Sequence, residues 1–214
     1  MYKKLRDPVS GLMHLAAAAV AALGLALLVY LGRDSVSKQT TLVIYGLSVI
    51  AMFAASATYH LVNASPATLQ FLRKLDHSAI YLIIAGTYTP ICLYFFTGFW
   101  QWGMVTLIWL FALVGILVKL VFIHAPRWLT VVIYLVMGWL GLVAIPEMVN
   151  AMPPGAIAWL LAGGIFFTLG ALVYALKKPD WYPNVFGFHE LWHIFVILGV
   201  LCHFILIAAY IAPT

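Results

Sequence analysis

The sequence has 214 residues, of which 65% are hydrophobic and 8% are charged, with 11 Lys and Arg against 6 Asp and Glu. A soluble domain carries about 25% charged residues, so this chain has too few to cover a water-soluble globule of its size. A mean hydropathy of +1.08 excludes a disordered chain, and two cysteines exclude a disulfide framework or a Cys-rich zinc module. We therefore expect a membrane protein with several spans.

Seven apolar runs follow one another along the chain. A helical span needs about 20 apolar residues, and charged or turn-forming residues separate runs of this length. The stretch 77–118 contains no Asp, Glu, Lys or Arg and is too long for one span, so we divide it at Thr97 and Gly98. The predicted spans are 9–32, 40–62, 75–96, 103–123, 128–146, 155–176 and 187–211.

Continuous apolar runs favour helices, because the strands of a membrane barrel alternate apolar and polar residues over about 10 positions. The first run follows Lys3, Lys4 and Arg6, as in a secretory signal, but its roughly 24 residues exceed the about 7–15 of a signal peptide's apolar region. We predict a single all-α domain over residues 1–214, with seven transmembrane helices and a retained first span.

The Lys and Arg residues predict the orientation, since the cytoplasmic loops of membrane proteins are enriched in them. With the N-terminus in the cytoplasm, only Arg33 and Lys38 lie on the outer side. The inner side then holds Lys3, Lys4, Arg6, Arg73, Lys74, Lys119, Arg127, Lys177 and Lys178. We predict a cytoplasmic N-terminus and an external C-terminus. This topology explains the net charge of +5, so we expect membrane lipids as partners and no nucleic acid.

Ionisable residues within the spans are the candidates for function, because such groups are costly at membrane depth and face the protein interior. The predicted topology brings five of them to the cytoplasmic side. They are His14 in the first span, His60 at the end of the second, Asp76 at the start of the third, and His189 and His193 at the start of the seventh.

Three of these histidines have the spacing of metal ligands. His189 and His193 are four residues apart, so their imidazoles share one helix face. His60 could supply a third nitrogen from a facing helix, and three nitrogens plus a water form the open arrangement of a catalytic zinc site. Asp76 could hold that water or orient a histidine.

The depth of a residue in the membrane relative to the candidate metal ligands indicates the role of two further polar residues, Ser56 and His203. Ser56 is four residues before His60, on the same face and about 6 Å deeper, where its hydroxyl could stabilise a developing oxyanion. The alternative is that Ser56 bonds back to the carbonyl of the preceding helical turn. His203 lies about 15 Å deeper than His193, so we predict that it is an interior, hydrogen-bonded residue outside the metal site.

A competing motif occupies the same place. The stretch from His189 through Glu190 to His193 matches H-E-x-x-H, in which the two histidines bind zinc and the Glu is the general base of a metalloprotease. In that interpretation Asp76 is the third ligand. In the first interpretation His60 is the third ligand and Glu190 is an incidental interface residue. The spacing leaves both open, whereas a haem is disfavoured because an i, i+4 pair cannot bind both faces of one haem.

Three motifs in this order are similar to those of a known family. They are Ser56-x-x-x-His60, the stretch 75–90 beginning Leu75-Asp76-His77-Ser78 and ending Thr89-Pro90, and His189-x-x-x-His193 with His203 beyond. Together they resemble the bacterial hemolysin III family, which is grouped with the progestin and adipoQ receptors, the adiponectin receptors among them, and more distantly with the alkaline ceramidases. The resemblance covers all seven spans.

The resemblance implies seven helices with a cytoplasmic N-terminus in the bacterial inner membrane. It implies zinc ligands at His60, His189 and His193, an Asp76 that holds the zinc-bound water, and a Ser56 hydroxyl near the reacting carbonyl. The middle residues of the last motif vary in the family, which favours an incidental Glu190.

The family's first motif is an acidic residue, then Asn, then His, and here it reads Asp7, Ser10 and His14. Asp therefore replaces the usual Glu, and Ser replaces Asn, which leaves the roles of Asp7 and Ser10 open. His14 and Glu190 are candidates for supporting the metal ligands or for an alternative base.

The favoured hypothesis is a zinc-dependent hydrolase of lipid amide or ester bonds. Zinc would lower the pKa of a bound water to about 7, Asp76 would accept its proton and Ser56 would stabilise the oxyanion. The alternatives are a lipid-homeostasis sensor or receptor with structural zinc, an H-E-x-x-H intramembrane protease, and the cytolysin that the family name suggests. The sequence contains no amphipathic insertion segment that would support cytolysis.

Overall fold

The computed structural model describes residues 5–121, 126–182 and 185–213, with the side chain of Arg127 excepted. Lys3, Lys4 and the Arg127 side chain, which contributed to the predicted orientation, lie outside the described residues. The helices are α1 (Pro8–Leu31), α2 (Val36–Leu61), α3 (Pro66–Phe95), α4 (Gly98–Val121), α5 (Arg127–Trp139), a 3₁₀ segment (Leu140–Ala144), α6 (Ile145–Ala151), α7 (Pro154–Leu176) and α8 (Phe188–Tyr210).

The predicted all-α fold with seven spans is confirmed. Seven helical segments of the described chain are long and apolar enough to cross a membrane, and the fifth of them comprises α5, the 3₁₀ segment and α6. Regular structure in the described residues is helical throughout, with one isolated bridge between Tyr182 and Phe186.

The third helix begins nine residues before the predicted start of its span. The Ser65 side chain accepts a hydrogen bond from the backbone N–H of Thr68, and Pro66 occupies the first helical turn. Both features stabilise a helix start whatever the hydropathy of the residues that follow. The added turns carry Arg73 and Lys74, so hydropathy alone located the span but not the start of the helix.

The fifth span is interrupted, whereas the sequence predicted one regular helix over 128–146. The Tyr88 hydroxyl donates to the carbonyl of Gly138 (2.9 Å) and accepts from the N–H of Gly141 (2.7 Å). A side chain on α3 thus takes over backbone groups that would otherwise bond within the helix, and the chain continues as a 3₁₀ segment before Pro146 lies in the first turn of α6.

The helices form a ring around an interior cavity. The packing runs from α1 to α2, α3, α5, α7 and α8, and α8 returns to α1, while α4 packs on the outside of α3. In the most apolar stretch of α3, 67% of the residues are buried, compared with 11% in the most apolar stretch of α1. Large apolar side chains of α1, such as Val20 and Leu23, remain exposed on the outer surface, as expected for a surface that contacts lipid.

Candidate metal centre

The interior cavity has a volume of about 420 Å³ and a predominantly apolar wall. It extends from His189 and His193, near the start of α8, to Phe96 at the end of α3. Its size lies within the usual range for ligand pockets, about 300–1,000 Å³. The polar residues that sequence analysis singled out are concentrated at the end that holds the histidines.

His60, His189 and His193 come together as the sequence predicted. One ring nitrogen of each lies within 4.8 Å of the others, and Nε2 of His60 is 3.3 Å from Nε2 of His189. His60 lies in the last turn of α2, and the other two lie in the first two turns of α8. His60 and His193 are buried and His189 is half-buried, so the three residues could hold a metal ion.

The start of α1 orients His60. Nδ1 of His60 lies 3.1 Å from Oδ2 of Asp7, and the Asp7 N–H donates to the His60 carbonyl at 2.9 Å. An ionised carboxylate only accepts hydrogen bonds, so Nδ1 carries a proton and Nε2 is the His60 nitrogen that faces the cluster. Metal-ligating histidines are commonly oriented by such a carboxylate.

Asp7 is suited to act as this acceptor. Partial burial raises the pKa of its carboxyl, but hydrogen bonds from His60 and Arg6 outweigh that effect and hold the pKa below its ordinary value of 3.8. Asp7 is therefore ionised at neutral pH. Arg6 also lies over the ring of Tyr59, 4.1 Å from its centroid, which fixes the first residues of α1 against the end of α2.

His14 supports His193 by stacking. The two rings lie 3.9 Å apart between centroids with an interplanar angle of 15°, and Phe53 contacts the edge of His14. His14 is 2% exposed, and neither of its ring nitrogens has a hydrogen-bond partner among the described residues. It is not among the three histidines that could bind one ion, so its observed role is to pack against a candidate ligand.

Ser10 and Glu190 connect α1 to the start of α8. The Ser10 hydroxyl donates to Oε1 of Glu190 at 2.7 Å, and Oε2 of Glu190 accepts from the Gly187 N–H at 2.8 Å. Both carboxylate oxygens therefore hold the N-terminal end of α8, where an acidic side chain is favourable. These contacts support the interpretation of Glu190 as a structural residue.

Asp7, Ser10 and His14, whose roles the sequence left open, thus each contact a residue of the other motifs. Sequence analysis could not assign these pairs, because they join residues that are 53 to 180 positions apart. The signal that could have suggested them is the spacing of the three residues, which places them on one side of the first turns of α1.

Asp76 and Ser56 lie together in the cavity wall, and their side chains are hydrogen-bonding partners. Ser56 therefore reaches across to α3, unlike the alternative in which it bonds back to its own helix. Asp76 is not part of a three-ligand cluster among the described residues, so the geometry favours His60 over Asp76 as the third ligand.

His203 is an interior hydrogen-bonded residue, as predicted. Its Nε2 lies 3.2 Å from the carbonyl of Leu160, and its ring lines the deeper part of the cavity. The histidine cluster does not include it.

Sequence analysis missed the position of Lys119. The charge count treated it as a surface residue at a membrane end, but it is 3% exposed and its Nζ donates to Oγ1 of Thr130 at 2.7 Å. Both residues line the cavity. No signal in the sequence distinguishes Lys119 from the other lysines at helix ends, because its contact with Thr130 of α5 is formed only in the tertiary structure.

Comparison with known proteins identifies a family model and several relatives to which this sequence is similar. A family model described as Haemolysin-III related matches residues 2–204. The Hemolysin-3 of Bacillus cereus is 32% identical over 182 residues, which cover 85% of this chain and 80% of that protein. The human monocyte to macrophage differentiation factor is 28% identical over 91% of this chain and 80% of its own length. The adiponectin receptor protein of Drosophila melanogaster is 28% identical over 86% of this chain and 46% of its own length.

Proposed function

The chain belongs to the haemolysin-III-related family, and from this membership and the histidine cluster we propose a zinc-dependent membrane hydrolase that cleaves amide or ester bonds of lipids. The observation that carries the proposal is the position of three imidazoles beside the Ser56–Asp76 pair, at one end of an apolar cavity. We orient this end towards the cytoplasm on the strength of the Lys and Arg distribution.

The donor set suits zinc. Tetrahedral zinc with Zn–N bonds of about 2.0–2.1 Å separates two ligand nitrogens by about 3.3–3.4 Å, and the Nε2 atoms of His60 and His189 are 3.3 Å apart. Two lone pairs at that distance repel each other unless a proton or a cation lies between them. Nδ1 of His193 is buried without a hydrogen-bond partner among the described residues. Zinc held by these residues would supply a Lewis acid that lowers the pKa of a water molecule to about 7.

Asp76 and Ser56 would carry the proton transfer and stabilise the charge. An oxygen of the Asp76 carboxylate would accept a proton from the attacking water, whose oxygen bonds to the carbonyl carbon of the lipid. Once Asp76 is protonated, its O–H would donate to the Ser56 oxygen, which would free the Ser56 hydroxyl to donate a hydrogen bond to the oxyanion that forms. The C–N or C–O bond then breaks, and the proton held by Asp76 passes to the leaving nitrogen or oxygen.

The cavity favours a lipid as the substrate. Its wall beyond the polar end is formed by Ile80, Ile83, Ile84, Ile91, Leu160 and similar side chains. An acyl chain would lie against these residues while the scissile bond lies beside Ser56 and Asp76. A peptide substrate is less suited to this cavity, and Glu190, the general base of the protease alternative, is engaged in bonds to Ser10 and Gly187.

The test measures metal and turnover on the same preparations. The purified protein is analysed for zinc and is then assayed with ceramide and phospholipid substrates. We expect about one zinc per chain, loss of the zinc in His60→Ala, and retention of the zinc in His203→Ala, the matched cavity control. We expect Asp76→Ala to keep the zinc and to lower turnover by about 100-fold or more.

Two results would contradict the proposal. Zinc that survives in His60→Ala would mean that the metal is bound elsewhere. Bound zinc without turnover of any lipid, and without an effect of Asp76→Ala, would exclude hydrolysis.

A second candidate is a membrane lipid sensor or receptor in which zinc is structural. It is favoured by the similarity to a protein named as an adiponectin receptor, and by the contacts through which α1 holds the histidine helices. In this case deletion of the gene would alter membrane lipid order, and a double variant with Ser56→Ala and Asp76→Ala would restore it. Failure of the double variant to restore lipid order would favour the hydrolase.

A further inference from the structure

Lys119 places a positive charge inside the protein. It lies two residues before the end of α4, is 3% exposed, and lines the cavity. Its Nζ donates to Oγ1 of Thr130 at 2.7 Å. A hydroxyl is a hydrogen-bond partner but does not balance a charge, and buried charges normally have a partner of opposite sign.

No acidic residue of the chain supplies that partner. All six Asp and Glu side chains lie within the described residues, and neither Lys119 nor Arg73 forms an ion pair with any of them. Asp76 is the acidic residue in the described cavity wall, and it is bonded to Ser56. The charge of Lys119 therefore has no carboxylate partner among the described residues.

Arg73 adds a second positive charge to the same wall. It lines the cavity and lies close enough to Lys119 for the two charges to interact. The cavity wall thus carries two basic residues, the buried Lys119 and the exposed Arg73, and one acidic residue. This surplus of basic residues beside the buried Lys119 favours an anion.

The Lys119 side chain does not extend to the membrane surface to place its ammonium group in water. A lysine near a helix end usually keeps its ammonium group in water while its methylene groups cover apolar surface, and such a side chain would be largely exposed. At Lys119 the ammonium group bonds to a buried threonine instead. An ammonium has three N–H donors, and the bond to Thr130 uses one of them.

We propose that Lys119, together with Thr130 and Arg73, binds the oxyanion of a membrane lipid, a phosphate or a carboxylate, while the acyl chain of that lipid lies in the cavity. The proposal rests on the proposed function for the entry of lipid, and it specifies that the lipid is anionic. Isoleucines of the wall, such as Ile80 and Ile84, provide the apolar surface for the chain.

The experiment measures ligand binding to the purified full-length protein in nonionic detergent. The readout is the shift of the thermal unfolding midpoint as the ligand concentration increases. The four probes are phosphatidic acid, oleic acid, a diacylglycerol with the same chains as the phosphatidic acid, and inorganic phosphate. We expect the two anionic lipids to bind about tenfold or more tightly than diacylglycerol, because they add charged hydrogen bonds. We expect inorganic phosphate to bind weakly, because it lacks the acyl chain.

Lys119→Met tests the residue itself. Met has a similar length and leaves no charge to bury, and we expect it to abolish the preference for anionic lipids while the affinity for diacylglycerol stays the same. Lys119→Arg should restore most of the preference. Lys38→Met is the matched control, because Lys38 pairs with Asp34 in the loop between α1 and α2 and should not affect binding.

An unchanged preference for anionic lipids in Lys119→Met would overturn the proposal, and so would inorganic phosphate that binds as tightly as phosphatidic acid. Zinc is measured in the same samples. We expect Lys119→Met to retain it, so a failure of anion binding is distinguished from a failure of the metal site.

Discussion

The Asp7 carboxylate accepts a hydrogen bond from Nδ1 of His60, with Oδ2 and Nδ1 3.1 Å apart. This contact joins the residue before α1 to the last turn of α2, and the Asp7 N–H holds the same histidine through its carbonyl. It determines which nitrogen of His60 faces the other two histidines. The arrangement of the candidate metal ligands therefore depends on a residue that is not one of them.

Removal of the Asp7 carboxylate should weaken metal binding. In Asp7→Ala the proton on His60 is no longer held at Nδ1, and we expect zinc affinity to fall about 10- to 100-fold. Competition with a chelator of known affinity measures this change. Asp7→Glu should recover part of the affinity, and Asp34→Ala, which removes the partner of Lys38, is the control that should bind zinc normally. Wild-type affinity in Asp7→Ala would show that the contact does not orient the ligand.

Glu190→Gln should separate the two interpretations of the H-E-x-x-H motif. The amide can replace only one of the two carboxylate acceptors, so the connection between Ser10 and the start of α8 weakens. We expect the free energy of unfolding to fall by about 1 kcal/mol, with zinc content unchanged and lipid turnover within a few-fold of wild type. A loss of turnover of about 100-fold or more with zinc retained would instead identify Glu190 as the base.

Removal of the metal should destabilise the wild type more than a variant without the site. A ligand present at 100 times its dissociation constant stabilises the folded state by about 2.7 kcal/mol. A chelator should therefore lower the Tm of the zinc-loaded protein and leave the Tm of His60→Ala almost unchanged. Equal shifts in the two proteins would mean that the chelator acts on something other than the histidine cluster.

Tyr88→Phe should destabilise the interrupted fifth span. The variant loses the bonds to the Gly138 carbonyl and the Gly141 N–H, which leaves backbone groups without partners in an apolar environment. We expect a loss of about 1–3 kcal/mol in the free energy of unfolding, measured by denaturation in mixed micelles. Tyr182→Phe is the control, since Tyr182 is exposed. An equally small effect of both variants would contradict a role for Tyr88 in forming the 3₁₀ segment.

The close contact of α7 with α8 should not tolerate a methyl group at Gly163. A Cβ there would lie 2.3 Å from Nε2 of His203 and 3.1 Å from the Gly199 carbonyl oxygen. We expect Gly163→Ala to cost about 1–3 kcal/mol through overpacking. Gly138→Ala is matched to it, because a Cβ at Gly138 meets nothing within 4 Å. The free energy of unfolding is measured for both variants in the same way. Equal values would mean that α7 and α8 can move apart at Gly163 without a loss of stability.

Much of the site could be predicted because helical spacing and span topology act together. His189 and His193 share a face through their four-residue spacing, and His60 reaches the same end because α2 runs in the opposite direction to α8. The predicted start of the third span did not coincide with the start of α3, because hydropathy indicates which residues cross the membrane and not where a helix begins. Ser65 and Pro66 determine the start of α3. The break in the fifth span could not be predicted from 128–146, because the residue that causes it, Tyr88, lies on another helix.

The sequence by itself determined the seven spans and the grouping of His60, Asp76, His189 and His193 at one end, because apolar length and helical periodicity are local properties of the chain. The tertiary structure alone decided which residues support the ligands and which charges are buried. Asp7 and His60 are 53 positions apart, and the buried Lys119 bonds to Thr130 of another helix. Hydrogen bonds and burial of this kind depend on which helices are neighbours, and the neighbours are established only when the helices pack into the bundle.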